Sequence, residues 1–262
     1  MTRIAAIGPL SIDSVGGGVP RPGGTAFYAG LTFGRLDADA HVAISCSAEH
    51  RSALDGLHVP ARWYESAETT AFSFRYTDSG RRIMSVDAVG DAWSPDDALE
   101  AAGDATWVYI GALLRSHFPS QTLDALVEAS RKLLLDAQGF VRRPALGPLQ
   151  LDGAVGDVVE RASILKLDDQ EAEALVGAAD PAALRRLAVP EIVLTLGARG
   201  SMIVTSRAVQ SVPAIEMTGA IDPTGAGDTL AAAYLVARAD GAEPLEALRD
   251  ATETVGEFLS GK

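Results

Sequence analysis

The residues best suited to chemistry are Asp222-Pro223-Thr224-Gly225-Ala226-Gly227-Asp228, which run directly into an almost unbroken apolar stretch at 229–238. Pro223 suits a chain about to enter a helix, and Thr224 is a good N-cap residue. Gly225, Ala226 and Gly227 lack bulk, so their backbone N–H groups can come close to an anion. N–H groups at a helix start have no partner within the helix, and the helix dipole adds partial positive charge there. Asp228 falls in the first turn, beside that anion site. Two roles are open to it: a capping carboxylate, or a general base next to a phosphoryl group in transfer.

Such a turn works only if strands and helices bring other groups to face it. Residues 3–7 read as a buried strand, and Asp13 follows shortly after it. A polar group just past a strand end lies where open α/β sheets bind ligands, although an Asp there also makes turns. Gly23-Gly24 either let a ligand approach the backbone or simply turn the chain. Thr25 is expected to cap a helix to about residue 36, with Phe27, Leu31 and Phe33 facing inward. Residues 41–46 read as a second buried strand. Alternating segments at 70–76 and 82–86 flank 77–81 and predict a hairpin. Arg81 and Arg82 beside its turn are either solvated or reach an anionic substrate.

After Gly90, strands at 106–110, 133–136, 163–167 and 191–196 alternate with helices at 119–130, 168–175 and 181–187. That alternation predicts a largely parallel sheet covered on both faces. Gly197-Ala198-Arg199-Gly200 turns the chain into 201–205, an expected antiparallel strand, and a last helix is expected at 245–259. The expected architecture is one α/β domain over 1–262, with a small β-rich lid from about 14–22 and 59–90.

Composition excludes several classes of function. A net charge of −13 and a pI near 4.7 argue against nucleic acid or an anionic membrane as partner. No apolar run approaches the ~20 residues of a membrane span, and the stretch 4–10 is broken by Gly8-Pro9, unlike a signal-peptide core. Cys46 is the only cysteine, so no intrachain disulfide forms, and a cytoplasmic location is expected. His41 and His50 are isolated, which predicts no zinc site. The glycine-rich loop 16–24 lacks the Gly-Lys-Ser/Thr of a Walker loop. No Gly-x-Gly-x-x-Gly follows the first strand, as a dinucleotide-dependent dehydrogenase would need.

Four ordered stretches together resemble the ribokinase-like (PfkB-type) carbohydrate kinases. They are 7–13 with Gly23-Gly24, Asp168-Asp169-Gln170-Glu171, Thr195 to Gly200, and Asp222 to Asp228. The last is the most specific, similar to the family signature Asp-Thr-x-Gly-Ala-Gly-Asp. The resemblance implies a ribokinase-like fold and an ATP-dependent kinase with Asp228 as the base that takes a proton from a substrate hydroxyl. It implies an anion hole for the γ-phosphate at Gly225, Ala226 and Gly227. It places Asp13, Gly23 and Gly24 against the substrate, and Thr195, Gly197, Gly200 and Thr224 along the nucleotide. Glu171 would order Mg²⁺ through water, and the resemblance also allows K⁺ near Asp222.

Tyr28 stands where many sugar kinases of this family carry Asn, so a phenol replaces an amide among the substrate-side groups. Tyr28, a short 14–22 segment that leaves little room for the first part of a lid hairpin, and Glu68-Thr69-Thr70 look most like the myo-inositol kinase branch. Thr252 replaces an adenine-side Asn, which bears on nucleotide preference. The expected substrate is a small neutral polyol or sugar, with a cyclitol such as myo-inositol favoured, handled by a monomer or homodimer. A nucleoside kinase is the alternative, and a non-catalytic sugar- or nucleotide-sensing relative is the alternative from another class.

Overall fold

The computed structural model describes residues 3–76, 82–217 and 221–261. In chain order come β1 (Ile4–Pro9), β2 (Ser11–Val15), β3 (Arg21–Gly23), α1 (Thr25–Arg35) and β4 (Ala40–Cys46). They are followed by β5 (Ala61–Glu65), β6 (Thr70–Tyr76), β7 (Arg82–Ala88), α2 (Pro95–Ala102) and β8 (Trp107–Ile110). Next are α3 (Ser120–Glu128), β9 (Lys132–Asp136), α4 (Ala137–Val141), β10 (Gly147–Pro148) and β11 (Ala162–Asp168). The chain ends with α5 (Asp169–Val176), α6 (Pro181–Leu184), β12 (Glu191–Thr195), β13 (Ser201–Thr205), β14 (Val209–Val212), α7 (Ala226–Ala239) and α8 (Pro244–Leu259).

Nine strands form the main sheet in the order β14-β13-β12-β11-β9-β8-β1-β4-β5. All neighbours from β12 to β5 are parallel, while β13 and β14 add an antiparallel edge. The strands are apolar on both faces because helices cover both. In β9, Leu133 and Leu135 join one core while Leu134 joins the other. That alternation follows from the two-residue period of a strand. One core packs under α2 and α3, and the other, with Tyr109, Phe33 and Tyr234, under α1, α7 and α8. Each large side chain so buried contributes about 1.5–3 kcal/mol to folding.

A second sheet, ordered β10-β7-β6-β2-β3, makes the lid and has its own core of Phe72, Phe74, Val86, Leu113 and Leu114. The hairpin of β6 and β7 forms as expected, while residues 77–81, including Arg81, lie outside the described residues. The expected lid segment 59–90 divides: Ala61–Glu65 pairs with β4 as the outer strand of the main sheet. A short first lid hairpin does form, because β2 starts at Ser11, inside the stretch expected to be a turn.

Helix starts differ by one residue from expectation. Gly24, at φ 100°, precedes α1, so Thr25 is its first residue rather than its cap. Phe33 is fully buried there, but Phe27 and Leu31 are only half-buried, and the inner face is made of Ala26, Ala29 and Gly30. At α7 the cap is Gly225 in the left-handed region, not Thr224. A positive φ is what lets the backbone turn sharply into the helix.

Candidate active site

A cavity of about 950 Å³ lies between the lid and the C-terminal ends of the parallel strands. That placement follows the rule for open α/β sheets. The cavity is lined by the α7 start: Pro223, Thr224, Gly225, Ala226, Gly227 and Asp228. Ser11, Asp13, Gly24, Tyr28, Phe72 and Phe74 line it too, with Tyr28 in contact with Gly225. Thr195, Gly197, Gly200 and Glu171 line it as well, from the ends of β11 and β12.

Asp228 sits in the first turn of α7, partly exposed to the cavity. Burial pushes its carboxyl up to about 6, and Asp136 adds to the rise. Lys166, the Thr25 hydroxyl and Arg142 pull it back. The carboxylate is therefore ionised at neutral pH yet a stronger base than a free Asp.

Gly225 has φ 82°, and a Cβ there would lie 2.5 Å from two ring carbons of Tyr28. The turn before α7 thus packs directly on the Tyr28 ring. Tyr28 is held edge-on by Phe27 and Phe258, with ring centres 5.8 and 6.2 Å away. Burial, then Asp13, Asp228 and Asp222, push its hydroxyl up to about 12, so it stays a protonated donor. Gly24 allows β1 to approach: a Cβ on it would meet the Pro9 carbonyl oxygen at 2.7 Å.

Two expected site residues stand off the cavity. Gly23 is buried behind the wall, where a Cβ would press on the Asp13 carboxylate at 2.8 Å and the Ser11 hydroxyl at 2.9 Å. Asp222 is exposed, and its Oδ1 accepts from the Thr224 backbone N–H at 3.1 Å and hydroxyl at 2.6 Å. Its Oδ2 faces Arg21 of the lid at 3.9 Å. Thr224 therefore braces the turn through Asp222 instead of capping the helix.

Asp168 and Glu171 form a reciprocal capping box on α5: each carboxylate accepts the other's backbone N–H at 2.8 Å. Asp caps as well as Asn does, which accounts for the Asp at this position. Glu171 is buried, and burial above all raises it to about 7, with Lys166 opposing. Gly197 and Gly200 carry positive φ on either side of a short 3₁₀ turn, and Gly200 packs its bare Cα on the Val212 carbonyl.

Sequence reasoning missed a polar floor. Lys166 Nζ lies 3.1 and 3.2 Å from the two oxygens of buried Asp136, its cross-strand neighbour in β9. Tyr109 donates to the same carboxylate at 3.3 Å, and the Gln138 N–H at 3.1 Å. Arg142 bonds Gln138 at 2.8 Å and stands 5.8 Å from the Phe72 ring centre. A signal for this floor existed: Lys166, one of three lysines in the chain, interrupts an apolar strand run.

The fold is that of the ribokinase-like kinases, a mostly parallel sheet flanked by helices, and those kinases are phosphotransferases. Residues 45–256 match the model of pfkB family carbohydrate kinases, and the chain belongs to that family. Comparison with curated proteins by sequence gives no match. Among solved structures, the chain is similar to a pyrophosphate-dependent kinase of the ribokinase family complexed with a pyrophosphate analog and myo-inositol. The TM-score is 0.87 at 24% identity, covering 98% of this chain and 95% of that one. It is also similar to Arabidopsis thaliana ribokinase complexed with ribose and ATP, with TM-score 0.77, 18% identity and coverage of 99% and 93%. A Methanocaldococcus jannaschii nucleoside kinase shares the fold with TM-score 0.73, 18% identity and coverage of 100% and 93%.

Proposed function

We propose that this chain transfers a phosphoryl group to a hydroxyl of a small neutral polyol, a cyclitol such as myo-inositol, with Asp228 as general base. One observation carries the reading: a single cavity holds Asp228, the turn of Gly225, Ala226 and Gly227, and the polar groups of Asp13 and Tyr28. Asp13 accepts from substrate hydroxyls and the Tyr28 phenol donates to them, while Gly24 lets the ring come close to the backbone. Phe72, Phe74 and Met84 give the ring an apolar face. Gly225, Ala226 and Gly227 receive the transferred group as its charge shifts, so catalysis is positioning plus electrostatics. The myo-inositol bound by the similar kinase supports the cyclitol.

Among the described residues, no three His, Cys, Asp or Glu side chains cluster as a metal cage. Mg²⁺ would arrive on donor phosphates with its waters, and the cavity-lining Glu171 would order them. Mg²⁺ would neutralise donor charge there. K⁺ in the vicinity of Asp222, whose Oδ1 accepts from Thr224, is tested by adding KCl to the assay.

MgATP is the first donor to test, along Thr195, Gly197 and Gly200. A second reading, inorganic pyrophosphate, is favoured by the α8 face of the cavity. The Thr252 hydroxyl there is turned back onto the Leu248 carbonyl at 2.7 Å. Ile215 covers Gly256, its Cδ1 2.5 Å from where a Cβ would lie. That face offers little polar recognition to a base. The pyrophosphate dependence of the similar kinase agrees.

The test crosses donors (ATP, other nucleoside triphosphates, pyrophosphate) with acceptors (inositols, hexoses, ribose, nucleosides). Turnover of an inositol supports the proposal. Phosphorylation of nucleosides alone overturns the cyclitol reading, and ligand binding without turnover by any donor overturns the kinase mechanism.

A further inference from the structure

We infer that Lys166 is a positioning residue for the transfer: clamped by Asp136 against the inner side of the Gly225–Gly227 turn, its ammonium keeps the Asp228 carboxylate charged and ready to act as base at neutral pH. The inference rests on the reading of Asp228 as the base.

The placement is built from three strands. Asp136 ends β9, Lys166 is its register partner in β11, and Tyr109 reaches the same carboxylate from β8. Both Asp136 oxygens hold Nζ, so the ammonium has little freedom to swing away. A Cβ on Gly227 would lie 3.3 Å from Nζ, which places the charge directly behind the turn that carries Asp228. The same lysine lines the cavity. A buried ion pair is by itself weak evidence for stability, since an apolar pair of similar volume often does as well. Here its position behind the base supplies a different reason for two buried charges.

The groups facing Asp228 come from every side. Asp136 stands on β9, Lys166 on β11, and Arg142 just after α4. Tyr28 faces it from α1 and Tyr109 from β8. Of these, Asp136 favours the protonated acid, while Lys166 and Arg142 favour the carboxylate. Lys166 itself stays charged: burial works against it, but Asp136, Glu171, Asp228 and Asp168 together hold it well above the ordinary lysine range. Removing the lysine and removing its aspartate partner must therefore move the base in opposite directions.

The experiment is the pH profile of kcat/KM for wild type, K166M, D136N and D136N/K166M, with Mg²⁺ and whichever donor and acceptor the panel above shows to be turned over. Folding of each variant is checked by circular dichroism. For K166M the acid limb is expected to move up by about one to two pH units, the usual effect of losing an opposite charge at close range. Activity at pH 7 then falls roughly two- to tenfold and recovers near pH 9. For D136N the limb moves down. If K166M does not fold, the double variant, which strands no buried charge, is compared with D136N, and its limb must lie higher. Folded variants whose limbs coincide with wild type overturn the inference. D228N separates the two readings: if it abolishes turnover at every pH while the limbs do not move, only the role of Lys166 fails. If D228N retains turnover, the base assignment fails and the inference falls with it.

Discussion

Asp228 is a carboxylate held above the ordinary aspartate range, near the pH at which the proposed base would work. Its pKa of about 6, raised first by burial, predicts that kcat/KM rises with pH through about 6 and levels off above. A steady-state pH profile measures this, and a flat profile from pH 5 to 8 would count against the assignment. Replacing Asp228 with Asn keeps the shape and removes proton acceptance, so a loss of about 10²–10⁴-fold in kcat is expected. The type and place of this residue were legible in sequence, because a helix start and its first turn span only a few consecutive residues. Its basicity was not legible, because Asp136 and Lys166 reach it from distant strands. Glu171 shows the same division: its spacing from Asp168 announces a capping box, while its burial among carboxylates comes from the sheet edge.

Among the elements, the turn before α7 is held by what packs on it. Gly225 combines a positive φ with a phenol ring pressed against its bare Cα, so Gly225→Ala is both strained and crowded. The expected outcome is a loss of at least about tenfold in kcat/KM with the fold retained, seen in kinetics beside circular dichroism. The lid has a comparable joint in His117. Its Nδ1 accepts the Leu113 and Leu114 N–H groups at 3.2 and 3.0 Å, so Nε2 carries the hydrogen and donates to Thr70 at 3.2 Å. Thr70 opens β6 and also accepts the Gly90 N–H at 3.0 Å. Burial lowers His117 from 6.5 to about 4, so only the neutral ring fits the fold. Between those values the unfolded chain binds the extra proton, and stability is lost as pH falls through that window. Its contribution is about 3 kcal/mol when complete. The difference in denaturant stability between wild type and His117→Gln should shrink by that order between pH 7 and 4. A constant difference would contradict the neutral joint.

For the whole molecule, function and stability pull apart. Asp228 and Glu171 are both raised above their ordinary values, so each is costly to the fold when ionised. For Asp228 that cost is absent below about pH 4 and grows as pH rises through 6. Asp228→Asn is therefore expected to melt higher than wild type at pH 8, by about 5 °C, with the gain vanishing near pH 4. Scanning calorimetry at the two pH values checks it, and an inactive variant that melts lower at pH 8 would refute the account. The term opposes that of His117 over the same window, so the wild-type stability curve is expected to be flatter than either term alone.

Strand and helix order, the two-faced apolar sheet, the lid hairpin and the glycine-rich turn before Asp228 were all determined by the sequence itself. Each rests on periodicity or on contacts between near neighbours, which the backbone geometry of a few residues dictates. Tertiary structure alone decided the rest. It moved Ala61–Glu65 into the main sheet, drew Gly23 and Asp222 off the cavity wall, and set the Tyr28 ring on Gly225. It also placed Lys166 opposite Asp136 beneath the base. Those juxtapositions depend on strand register and on which helix covers which face. No short stretch of chain encodes them, because a one-residue slip would send every such side chain to the other side of the sheet.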